Sequence, residues 1–133
     1  MDKRITKGLT TVKSVYIVAT IALIVLIYIL IDEYNEVDDR KRNSQYTIGL
    51  TIKIVGTAKS GNNVFYSYKV NGIQYDGLTH IGYNDYFIIP NGRYYVVYSS
   101  KHPDNGEMLI HNPVPYAIQQ APPEGWNSIP VPK

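Results

Sequence analysis

An uncharged, apolar stretch of eighteen residues, Ser14 to Ile31, constrains this chain more than any other feature. An α-helix of that length spans about 27 Å, close to the hydrocarbon core of a bilayer, which is about 30 Å thick. Tyr16 and Tyr28 lie near its two ends, where the headgroup region favours amphipathic rings. The sequence therefore predicts a transmembrane helix over residues 14–31, with the lipid bilayer as its partner.

A buried core helix and a cleavable signal peptide are the two alternatives for this stretch. A chain of 133 residues is too small to cover about five helical turns that are apolar all round. The residues that follow, Asp32 and Glu33, do not resemble the small-residue cleavage site of a signal peptide. We therefore expect an uncleaved signal anchor. Because the stretch carries no ionisable group, it is typical of a tether rather than of a conduit.

The segments on either side of this stretch predict how it crosses the membrane. Residues 1–13 form a basic leader with four Lys or Arg, and residues 32–45 form a charged stalk with three, Arg40 to Arg42. Lys and Arg near a span favour the cytoplasmic side. The modest bias predicts a single-pass protein with its N-terminus inside and its other domain extracytoplasmic, in the periplasm. Asp38 and Arg42, four residues apart with the acid first, indicate that the stalk continues the helix.

Residues 46–112 change to a period of two, which predicts a β-rich domain. The first strand has one apolar face and should be half-buried on that side. That face consists of Ile48, Leu50, Ile52 and Ile54. The segment 93–99, RYYVVYS, is apolar almost throughout and predicts a central strand, and residues 108–110 predict a short last strand. Residues 86–89 form a short apolar segment that ends at a Pro-Asn-Gly turn.

The strongest local signal is a hairpin around Asn71-Gly72, the favoured two-residue turn because both positions need a positive φ. The turn fixes the register of its two strands: Val70 opposite Ile73, Tyr68 opposite Tyr75, and Tyr66 opposite Gly77. The expected fold is therefore one membrane helix followed by a small, mostly antiparallel β-sheet of about five strands, either partly closed into a barrel or rolled on itself.

Residues 113–133 form a proline-rich tail with six prolines and the only tryptophan, Trp126. Such a segment cannot form regular ladders and should be extended, partly as polyproline II. It is expected to lie over the domain or loose in solvent. The alternative is a docking peptide that uses Trp126 and the flanking prolines as anchors.

Tyrosine is over-represented, with thirteen Tyr against two Phe and one Trp. The first interpretation is a sheet whose faces are lined by rings with polar tips. The second is a Tyr-rich surface that binds a glycan, a peptide or a protein. The candidate residues for such an interaction surface are Tyr68, Tyr75, Tyr94, Tyr98 and Trp126.

The remaining composition argues against catalysis. The chain has no cysteine, which excludes thiol chemistry and cysteine-based metal sites. His80, His102 and His111 show no metal-ligand spacing, so neither a metal nor a cofactor is predicted. Asp76 and Asp85 flank His80, but we interpret them as sheet-surface or loop residues rather than as partners in acid–base catalysis. From residue 43 onward the sequence has six basic and five acidic residues, so this part is nearly neutral. Nucleic acid is therefore not an expected partner.

The order of these features resembles small bacterial membrane-anchored β-domain proteins of unknown function. The resemblance rests on the YKVNGIQY hairpin of residues 68–75, GRYYVVY of residues 92–98, Pro103, the strand 108–110 and the tail segment APPEGW of residues 121–126. It implies a fold but no activity. We expect a non-enzymatic, membrane-tethered interaction module, an accessory subunit of an envelope membrane complex with a membrane or envelope protein as its partner. The alternative is an extracytoplasmic domain that binds a glycan or peptide through exposed tyrosines.

Overall fold

The computed structural model describes residues 3–57 and 61–132. The chain divides into two compact units, Met1–Val37 and Asp38–Lys133. The predicted boundary between stalk and β domain, at residue 46, thus lies inside the second unit.

The first unit contains most of a single helix, α1, which runs from Lys3 to Arg42. Its segment Val12–Arg42 is long and apolar enough to cross a membrane, and its apolar side chains are exposed. A signal sequence near the N-terminus has the same properties. Thr20, the main polar residue of the apolar stretch, donates its hydroxyl proton to the Tyr16 carbonyl at 2.8 Å. The predicted helix over residues 14–31 is confirmed, and its continuation through the stalk ends at Arg42.

The second unit is built on five antiparallel strands in one sheet. The strands are β1 Ser44–Thr57, β2 Gly61–Val70, β3 Ile73–Ile81, β4 Arg93–Ser99 and β5 Gly106–Pro113. Their order across the sheet is β3-β2-β1-β4-β5, so β3 and β5 are edge strands. The predicted antiparallel sheet is confirmed, whereas the barrel alternative is wrong because the sheet does not close.

The Asn71-Gly72 turn sets the β2–β3 register as the sequence predicts. Asn71 and Gly72 have φ values of 50° and 80°, which this type of turn requires. Val70 faces Ile73, Tyr68 faces Tyr75 and Tyr66 faces Gly77. The predicted central position of residues 93–99 is also confirmed, because β4 lies between β1 and β5.

One face of the sheet, called here the core face, carries the hydrophobic core. The core consists of Tyr66, Tyr68, Val70, Tyr94, Val96, Tyr98 and Met108. Residues 86–89 belong to no strand; instead Phe87 stacks on the Tyr94 ring with the centroids 4.2 Å apart and the rings nearly parallel, at 3°. Phe87 therefore covers part of the core from a loop, whereas Tyr86 and Ile88 of the same segment are 89% and 54% exposed.

Over residues 47–51, before the register shift between Thr51 and Lys53, the orientation of β1 is opposite to the one expected from its apolar pattern. Thr47, Gly49 and Thr51 lie buried on the core face, whereas Leu50 is 42% exposed on the other face, called here the outer face. The reason is steric. Large side chains from β2, β4 and β5 fill the core face, and a Cβ on Gly49 would overlap the Val96 and Met108 side chains. Only small side chains of β1 fit beneath them.

The last turn of α1 belongs to the second unit and is bonded to its loops. Arg40 contacts the Asn105 Oδ1 at 2.6 Å and the Glu107 carboxylate at 2.7 Å. Asp39 lies 2.9 Å from the His102 ring and accepts from the Asn43 amide at 2.8 Å. Hydrogen bonds from Ser99 first, and then from His102 and Asn43, hold the pKa of Asp39 well below its usual range, at about 2.

Candidate functional site

The five residues proposed as an interaction surface occupy two different environments. Tyr68, Tyr94 and Tyr98 are only 2%, 4% and 1% exposed, because their rings form the core. The prediction of a Tyr-rich surface is wrong for these three. Tyr75 is half-buried and stacks on Tyr68 with the centroids 5.7 Å apart. Trp126 is half-buried and meets the Tyr95 ring edge-on at 6.1 Å.

The core tyrosines use their hydroxyls to tie separate segments together. Tyr66 donates to the Gly106 carbonyl at 3.0 Å, and Tyr68 donates to the Pro103 carbonyl at 2.7 Å. Burial raises the pKa of Tyr66 to about 12 and raises the pKa of Tyr68 further. Both phenols therefore stay protonated at neutral pH and act as structural donors. This polar tip explains why the core is built from Tyr rather than from Phe.

The proline-rich tail is an ordered part of the second unit. Trp126 forms a two-way backbone bridge with Tyr46, with both N–O distances 2.8 Å. Next to this bridge, the Asn71 amide donates to the Pro123 carbonyl at 2.8 Å. The tail therefore lies against β1 and the hairpin tip, in agreement with the expectation that it covers the domain.

Three further hydrogen bonds tie residues 114–119 of the tail to Arg93. The Arg93 guanidinium donates to the Ile118 carbonyl and, at 3.1 Å, to the Gln119 carbonyl. The Val114 amide donates to the Arg93 carbonyl at 2.9 Å. Arg93 thus fixes the distance between β4 and the tail.

A groove of about 740 Å³ lies between the outer face and this part of the tail. We call it the outer-face groove. Ile48 and Leu50 of β1 supply apolar side chains, Ser67 and Lys69 come from β2, and Arg93 comes from β4. The lining is completed by Thr47, Tyr68, Asn71, Gly72, Gln74, Gln119, Gln120, Ala121, Pro122 and Pro123. The isoleucine and leucine that the sequence assigned to the core therefore line an open groove.

The groove combines an apolar floor with positive charge. Lys69 and Arg93 are both cations, and none of the described lining residues is Asp or Glu. Among the described lining residues the one aromatic is Tyr68, which is buried, so these residues offer no exposed ring. Sequence reasoning missed this site because the groove exists only once the tail is placed.

In the second unit, three tyrosines outside the predicted set are strongly exposed. Tyr83, Tyr86 and Tyr116 are 70%, 89% and 89% exposed, and they lie in turns and loops outside the named strands. Their neighbours in the sequence include Gly82, Asn84 and Pro115, which are turn-forming residues. That local turn chemistry is the signal that could have separated them from the strand tyrosines.

The His80 region has the contacts expected of a sheet edge and a turn. The His80 Nδ1 lies 3.1 Å from the Asn63 Oδ1 across the β2–β3 pair. The Asp85 carboxylate accepts from the Gly82 amide at 2.7 Å, and Asp76 accepts from the Gln74 amide at 3.3 Å. In the described ranges, no group of three or more His, Cys, Asp or Glu side chains could hold a metal ion.

Comparisons of the chain with protein families, with characterised proteins and with solved structures find no match. The fold and the groove therefore define the protein only by class: a long apolar N-terminal helix followed by an open, five-stranded antiparallel sheet. The resemblance to small membrane-anchored β-domain proteins stays a prediction.

Proposed function

We propose that this protein is a non-enzymatic, membrane-tethered interaction module that serves as a small accessory subunit of a bacterial envelope complex. In this proposal, α1 is an uncleaved anchor and the outer-face groove receives an extended segment of a partner protein. The observation that carries the proposal is the groove itself. The tail is hydrogen-bonded to the sheet on either side of the groove, yet the apolar side chains within the groove stay open.

The anchor and its orientation are supported by length and charge. The apolar stretch 14–31 matches the thickness of a bilayer core. Four Lys or Arg lie in residues 1–13 and three lie in residues 32–45. This modest excess on the leader side favours an N-terminus inside and an extracytoplasmic sheet domain.

A peptide suits the groove better than a glycan does. Ligand sites combine apolar or aromatic walls with placed polar groups, and here the apolar part of the lining is aliphatic and proline, beside polar side chains from the strands and the tail. A sugar ring would find no exposed aromatic face on which to stack. The glycan alternative instead has support from Tyr83, Tyr86 and Tyr116, which are exposed outside the groove.

Site-specific photo-crosslinking in native membranes tests this function. A photoreactive amino acid at Gln120, in the groove, should capture one partner that also co-purifies stoichiometrically in detergent. The same amino acid at Lys101, an exposed residue outside the groove lining, is the matched control. If Gln120 captures nothing reproducible, or if both positions capture the same set of proteins, the groove is not the interaction site.

Protease protection tests the orientation. Protease added outside spheroplasts should remove the sheet domain. Full protection of the domain would place it in the cytoplasm and overturn the proposed orientation.

A further inference from the structure

We propose that the outer-face groove selects extended peptide segments that carry a carboxylate, and that Lys69 is the residue that binds this carboxylate. The inference rests on the proposed function and names the chemical class of the partner segment. It follows from the charges around the groove, from the partners that each charged group already has, and from the spacing of the strands.

The two cations of the groove differ in whether their side chains already have hydrogen-bond partners. Arg93 already donates to the Ile118 and Gln119 carbonyls, so it shapes the wall, and because carbonyls are neutral its positive charge is not cancelled. The Lys69 side chain is exposed and makes no hydrogen bond or ion pair within the described part of the chain. Lys69 is therefore the cation that remains free to bind a ligand.

The two cations lie on strands that are not neighbours. Lys69 lies on β2 and Arg93 on β4, with β1 between them. Neighbouring strands are about 4.8 Å apart, so the two positions are about 10 Å apart across the sheet. A carboxylate at Lys69 leaves the Ile48 and Leu50 side chains free to contact an apolar residue of the same peptide. The expected motif is one acidic and one apolar residue that point to the same side of an extended chain.

Asp76, an acid on the outer face beside Lys69, allows a second test. Asp76 lies on β3 opposite Ser67, diagonal to Lys69, and accepts a hydrogen bond from the Gln74 amide. It is not part of the groove lining. Its negative charge opposes an incoming carboxylate. Removing that charge should therefore have the opposite effect to removing the charge of Lys69.

The experiment selects ligands for the full chain in lipid nanodiscs from a displayed library of random peptides. Peptides of about 12 residues span at most about 40 Å when extended, which is longer than the groove needs. We expect the enriched peptides to contain Asp or Glu near an apolar residue, and their affinity to fall as salt is raised. Lys69→Gln should weaken binding by about 3- to 5-fold, as expected for the loss of one exposed ion pair. Asp76→Asn should strengthen binding, and the control Lys101→Gln should leave it unchanged.

Leu50→Arg separates failure of this inference from failure of the proposed function. One outcome refutes only the carboxylate inference. In that outcome, Leu50→Arg blocks the peptides, but the peptides show no preference for Asp or Glu and do not respond to Lys69→Gln. The groove would then remain a binding site. If no enriched peptide is sensitive to Leu50→Arg, the groove is not a peptide site and both proposals fail. Each variant should keep the wild-type near-ultraviolet circular dichroism, because Lys69, Asp76, Lys101 and Leu50 are all exposed.

Discussion

Tyr46 and Trp126 exchange a pair of backbone hydrogen bonds, with both N–O distances 2.8 Å. The β1–β2 ladder begins at Gly49, so the bridge occupies the part of the β1 edge that β2 does not reach. The tail thus satisfies backbone groups that would otherwise need solvent. Gly125, with a φ of 78°, allows this approach, since a Cβ there would lie 2.5 Å from the Tyr98 hydroxyl.

Replacement of the tryptophan tests whether the tail contributes to stability. Trp126→Ala removes the ring contact with Tyr95 but keeps the backbone bridge. Because the ring is only half-buried, the free energy of unfolding should fall by about 1–3 kcal/mol, less than for a full core aromatic. Urea unfolding of the full chain in detergent, followed by circular dichroism, measures the change. Val131→Ala, at an exposed tail position, should stay within about 0.5 kcal/mol of wild type.

Gly77 is needed because the Tyr66 ring lies on it across the β2–β3 pair. A Cβ at Gly77 would overlap that ring, so Gly77→Ala should lower the free energy of unfolding by about 1–3 kcal/mol through overpacking. Gly56→Ala is the control in the same sheet, because its Cβ would approach only the Asn62 side chain, at 3.5 Å. Equal stability of the two variants in the same urea experiment would show that the ring moves away without cost.

The Thr51 hydroxyl joins β1 to the loop that covers the core. It donates to the Ile88 carbonyl at 2.7 Å and accepts from the Gly92 amide at 2.8 Å. Thr51→Val leaves both groups without this partner, and the expected loss is about 2 kcal/mol in the free energy of unfolding. Thr47→Val is the matched control, since the buried Thr47 hydroxyl makes only a 3.4 Å contact with the Lys69 carbonyl. A larger loss for Thr47→Val would contradict this assignment.

The lowered pKa of Asp39 predicts an acid-dependent loss of stability. Its folded pKa is about 2 against an ordinary value of 3.8, so between these pH values the unfolded chain binds more protons than the folded one. Stability contributed by Asp39 is therefore complete above about pH 4 and is lost as the pH falls through about 2. The slope of the urea midpoint against pH in this window should be smaller in Asp39→Asn. An unchanged slope in Asp39→Asn would contradict this prediction.

The hairpin shows what local sequence can predict. Asn71-Gly72 allows only a narrow set of turn geometries, and the period of two then carries the register along both strands. The central position of β4 followed from its continuous apolar run in the same way. The groove could not be predicted, because its walls come from residues more than fifty positions apart, Ile48 and Gln119 among them.

The sequence alone determined the long apolar helix, the change of period to strands and the pairing around Asn71-Gly72, because each depends on the properties of neighbouring residues. Tertiary structure decided which face of β1 is buried. Alternation distinguishes two faces of a strand but does not say what packs on each. Large side chains from β2, β4 and β5 fill one face and leave room for only small residues of β1, Thr47, Gly49 and Thr51. Ile48 and Leu50 are thereby turned outward, into the groove that the tail completes.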